Sequence, residues 1–129
     1  METTPSAAEL IEAAVETIRA ELLPALSGRA AFQARVAINV LETARRELRD
    51  APAADAAEHS RLRALLGRDG DLPTLRSALC DAIRDGRADL ATPGLADHLW
   101  ADVLARVAID QPSYPSFVRG AAPSTRTRA

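Results

Sequence analysis

The side chains able to do chemistry are few and scattered. His59 and His98 are the two histidines and Cys80 is the one cysteine. A metal centre needs several His, Cys or carboxylate ligands converging on one point, often with two of them at i and i+3 or i+4 of a helix. Neither histidine has a second His or a Cys at that spacing, so no metal constellation can be drawn, and both read as surface or boundary residues. Asp69-Gly70-Asp71 has the flavour of an acidic calcium loop, but the alternating ligands and terminal Glu are missing, and position 80 is Cys. A cap-and-turn role is expected there. Cys80, between Leu79 and Ile83, reads as a small core residue. Gly67-x-x-Gly70 is too short to cradle a triphosphate and no Lys follows it. All sixteen basic residues are Arg, so a Schiff-base or amine-nucleophile mechanism has no lysine to work with. No catalytic residue, metal ligand or cofactor-binding residue is assigned, and no cofactor is expected.

The stretch Gly28–Asn39 is the most informative, because it sets polar residues among apolar ones on a helix expected to be largely buried. Arg29, Phe32, Arg35 and Asn39 fall along roughly one side at helical spacing. One reading has this strip contacting a partner or an anionic ligand. The other has Asn39 tying neighbouring helices together and the arginines paired with Glu42, Glu47 or acids of the first helix.

The elements that position these residues follow from periodicity and punctuation. Ser6 and Glu9 have the S-x-x-E spacing of a capping box, predicting a helix to about Leu23 that Pro24 stops, with Leu10, Ile11, Ala14, Val15, Ile18 and Leu22 as its apolar stripe. A second helix is predicted over 29–49, packing Phe32, Val36, Val40 and Ala44. Asp50-Ala51-Pro52 should end it, with Pro52 opening a third helix that carries Leu62, Leu65 and Leu66 up to Gly67. Asp71 should cap a fourth helix with Leu72, Leu75, Leu79 and Ile83, closed by Gly86. Thr92-Pro93 should open a fifth, with Leu95, Leu99, Val103 and Val107 packed, ending near Asp110.

The 129 residues suit one domain, and 28 alanines with only four aromatics imply closely approaching helices. The expected architecture is an all-α compact bundle of about five helices over 1–110, with a Pro/Arg-containing disordered tail over 111–129. The tail holds three Arg and no acid, whereas 1–110 has a balance of −5. Tyr114 and Phe117 are aromatics able to anchor that tail on a partner. A net charge of −2 gives no general attraction for nucleic acid or an anionic membrane surface. A start without a basic n-region, a lone cysteine and no long apolar run together point to a cytoplasmic protein.

Several blocks of the chain resemble a family of short bacterial proteins classed as a domain of unknown function, over most of Pro5 to Tyr114. They are Leu22-Leu23-Pro24-Ala25-Leu26 with Gly28-Arg29, Phe32-x-x-Arg35-Val36-x-x-Asn39, and Glu47-Leu48. Leu65-Leu66-Gly67 with Gly70-Asp71-Leu72, and Ala108-Ile109-Asp110-Gln111-Pro112-x-Tyr114, complete the set. Members are typically encoded beside kinases of the aminoglycoside-phosphotransferase type and acyl-CoA dehydrogenases, and a similar small protein partners a kinase that phosphorylates a hydroxyacyl-CoA. The resemblance implies a non-catalytic accessory subunit of such a phosphotransferase-fold kinase. Its expected partner-binding residues are Arg29, Phe32, Arg35, Asn39 and Tyr114. The alternatives are a self-associating helical module, for which a homodimer would speak, and a small-ligand-binding bundle.

Overall fold

The computed structural model describes residues 4–121, and among them there are helices and turns but no strand. The all-α class and the number of α-helices are as expected: α1 Ala7–Thr17, α2 Gly28–Leu66, α3 Leu72–Arg84, α4 Leu95–Asp110 and α5 Pro115–Ala121. The chain divides between Pro52 and Ala53 into two compact units, whereas the boundary read from the sequence lay at Asp110.

In the first unit the capping box forms as written. Glu9 N–H donates to Ser6 Oγ at 3.2 Å, and Ser6 N–H donates to Glu9 Oε2 at 2.7 Å. After Thr17 the helix widens into a π-helical turn over Ile18–Leu22, then tightens into a 3-10 turn over Leu23–Ala25 that holds Pro24. Val15 of α1 and Ala31 and Ile38 of α2 are the buried apolar residues here. Arg45 ties the two helices together, reaching Glu42 Oε2 at 2.9 Å and Glu12 Oε1 at 3.7 Å.

The predicted break at Asp50–Pro52 is absent. One 39-residue helix, α2, runs through Pro52. Proline has no N–H to give the carbonyl four residues back, and its ring crowds that carbonyl. The defect therefore costs α2 one bond at Leu48, and the boundary between the units falls at this point.

The second unit has a leucine core of Leu62, Leu75, Leu79 and Leu95, with Leu66, Leu72 and Ala88 packed against it. Asp71 caps α3 as expected, its carboxylate accepting from Thr74 N–H at 2.8 Å, and Gly86 takes a φ of 75° just beyond the helix end. The start of α4 corrects the sequence reading. Its N-cap is Gly94 at a φ of 85°, without a side-chain cap bond. Thr92 instead closes the preceding turn, accepting from Asp89 N–H at 3.0 Å. The positive φ is what calls for glycine at 94, while a Cβ there would merely touch Leu65 Cδ2 at 3.4 Å. The disordered tail expected from 111 is corrected in part, because Pro115–Ala121 is the helix α5. The remainder of that segment, from 122, lies outside the described residues.

Candidate interaction surfaces

The polar residues singled out as chemical candidates serve as structural connectors. Asp69 Oδ1 accepts from Gly70 N–H at 2.8 Å and lies 3.4 Å from Arg63 Nε, while His59 Nε2 donates to the Gly70 carbonyl at 2.8 Å. These bonds pin the turn between α2 and α3. Among the described residues no group of three or more His, Cys, Asp or Glu is placed to hold a metal ion. Cys80 is exposed, which corrects the core placement: α3 buries Leu75, Leu79 and Ala82, and Cys80 projects from the other side together with half-exposed Ile83.

His98 also corrects the sequence reading, being only 4% exposed. Its Nδ1 accepts from Arg61 Nε at 3.0 Å. Burial first, then the Arg61 charge, push its pKa below the ordinary histidine range. Beside it Glu58, also buried, accepts two bonds from Arg76 at 2.8 and 2.7 Å, with Asp55 3.7 Å from the same guanidinium. The Arg76 hydrogen bonds hold the Glu58 carboxyl below the usual carboxylate range. This cluster lets α2, α3 and α4 bury polar groups without leaving them unpaired. The arrangement fastens three helices to one another.

Among the exposed apolar residues, two groups each share a helix face. On α2, Ala31 and Ile38 form the buried line, which turns Phe32, Val36 and Val40 outward; Phe32 is 60% exposed and Val40 63%. This reverses the expected packing. Alanine-rich helices offer little contrast between faces, and here Ala31 and Ile38 face inward in place of the expected stripe. Arg29, Arg35 and Asn39 are exposed with Phe32. Among the described residues, Arg29 and Arg35 take no part in an ion pair, and the acids beside them do not turn to meet them. In the second unit α4 buries Leu95, His98 and Ile109, leaving Leu99, Val103 and the 60% exposed Trp100 together on its outer side. The exposure of Leu99 and Val103 corrects the stripe expected to pack on this helix. His98, bonded to Arg61, takes an inward position in their place. Tyr114, exposed just before α5, belongs to this second unit and not to the unit of the other four predicted contact residues.

Two continuous apolar stripes rimmed by polar residues suit contact with other proteins. Trp100 is the residue type most enriched at interface hot spots, a signal that composition alone carries once its exposure is known. No helix among the described residues is long and apolar enough to cross a membrane. In comparison with known proteins, the model of a family described as a domain of unknown function (DUF6285) matches residues 24–114. No curated protein and no solved structure matches the chain.

Proposed function

The chain belongs to the DUF6285 family, and from that premise we propose that it is a non-catalytic accessory subunit of a cytoplasmic kinase. The kinase is of the aminoglycoside-phosphotransferase type and acts on a hydroxyacyl-CoA, as the resemblance drawn from the sequence implies. It supplies nucleotide, metal and catalytic base, and the small protein supplies helical surface. The observation that carries the reading is the exposed Leu99, Trp100 and Val103 face of α4, on a unit whose buried polar residues Glu58 and His98 are paired with Arg76 and Arg61. We assign this face, with Tyr114, to the kinase. The outer face of α2, with Arg29, Phe32, Arg35 and Asn39, is a second contact surface.

Co-expression with the neighbouring kinase, size-exclusion chromatography and an ATP-dependent assay on a 4-hydroxyacyl-CoA test the reading. Co-elution and a gain in turnover are expected. Trp100→Ala should weaken the complex by about 30-fold, the equivalent of a hot spot worth roughly 2 kcal/mol. Separate elution with unchanged turnover overturns it.

A further inference from the structure

The outer face of α2 is complementary to itself. Arg29, Gln33, Val36, Val40, Thr43 and Glu47 form a seam at alternate spacings of four and three residues, with Val36 and Val40 as the apolar pair at the centre of a polar row. The seam lies on the far side of the helix from Ala31 and Ile38, and all its members are exposed except the half-buried Thr43. It carries a cation at its N-terminal end, a carboxylate at its C-terminal end and two valines between. Arg29 and Glu47 take part in no ion pair among the described residues.

We infer that this face is occupied by a second copy of the chain, laid antiparallel about a two-fold axis at the level of Ile38. In that register Arg29 faces the partner's Glu47, Gln33 faces the partner's Thr43, and Val36 faces the partner's Val40. The two-fold repeats each pair. A parallel arrangement would set Arg29 against Arg29 and Glu47 against Glu47, which like-charge repulsion disfavours. Along one edge of the seam stand Ala30, Ala37 and Ala44, whose small side chains allow the two helix axes to approach closely. Along the other stands exposed Phe32, covered in the dimer and bare in the monomer. The inference rests on the reading that this chain works by contact, and it draws on none of the α4 residues assigned to the kinase.

Sedimentation velocity of the full chain over a range of concentrations provides the test. The wild type should pass from the chain mass to twice that mass as concentration rises. Arg29→Glu and Glu47→Arg should each weaken self-association at least 10-fold, because each places like charges at both ends of the seam. An equimolar mixture of the two variants should dimerise again, and so should the double variant. Both substitutions exchange good helix formers, and a Glu at position 29 also suits the positive end of the helix, so loss of fold is not the expected cause of any change. Circular dichroism checks this directly. A wild type that stays monomeric, single variants that dimerise undiminished, or a double variant that fails to recover each overturn the inference. The kinase reading is scored separately, on the wild-type chain: a homodimer that ignores the kinase sinks only that reading, and a kinase complex built on a monomer sinks only this one.

Discussion

Arginine cannot accept a hydrogen bond, so the contact of Arg61 Nε with His98 Nδ1 requires a bare Nδ1 and places the ring proton on Nε2. Protonating the ring would destroy that acceptor and set two cations together in a buried site, against which Asp102 and Glu58 offer partial compensation. The folded pKa is therefore below the unfolded value of about 6.5. Between those two values the unfolded chain binds more protons than the folded one, so stability rises with pH across the window and falls as pH drops through it. The melting temperature should decline between pH 7.5 and 5.5. His98→Asn, which keeps an acceptor near the Nδ1 position without a titrating ring, should flatten that decline; an unchanged slope would show that His98 does not cause it. Glu58 adds a loss of the same sign at more acidic pH, its depressed pKa making its contribution full above about 4.3 and lost as pH falls through the folded value. None of this was visible in the sequence, because Arg61 and His98 are 37 residues apart and no local spacing announces the pair.

Local signals were legible at the level of the elements. Ser6 with Glu9, Asp71, Gly86 and the end of α4 at Asp110 all follow from contacts within a few residues, which the sequence displays directly. The direction each helix faces was less legible. Of the stripe expected on the first helix Val15 is buried and Ile11 and Ile18 are half-buried, but Leu10, Ala14 and Leu22 are exposed, and α2 and α4 too have apolar residues on more than one side. Packing partners far along the chain chose between those sides. Pro52 was misread for a related reason: a proline in a helix is costly but survivable when both flanks are long and good helix formers. That cost gives a prediction. Pro52→Ala should restore the bond to the Leu48 carbonyl and raise stability by about 2 kcal/mol, the interior proline penalty of about 3 less the unfolded-state entropy that proline removes. Urea unfolding measures the gain. A neutral result would mean that the helix is already interrupted at this point in solution.

The two units differ in what they bury. The second rests on Leu62 and Leu75, both fully buried, with Leu79 and Leu95. The first has Val15, Ala31 and Ile38, a smaller apolar volume, and an exposed stripe alongside. Since burial of each large aliphatic side chain contributes about 1.5–3 kcal/mol, local opening should be easier in the first unit than in the second. Because α2 passes through both, the difference should be written along one helix. Amides from Ala31 to Arg45 should exchange with solvent at least 10-fold faster than those from Glu58 to Leu65, a gap of about 1.4 kcal/mol in opening free energy. Equal protection along the whole of α2 would instead mean that Pro52 marks no energetic boundary. The same experiment bears on self-association, since a ligand that binds only the closed state slows exchange in proportion to its occupancy. If the ligand is a second copy on the outer face of α2, raising protein concentration should slow the amides N-terminal to Pro52 and leave those from Glu58 to Leu65 unchanged. Protection that rises equally in both halves would place the contact elsewhere.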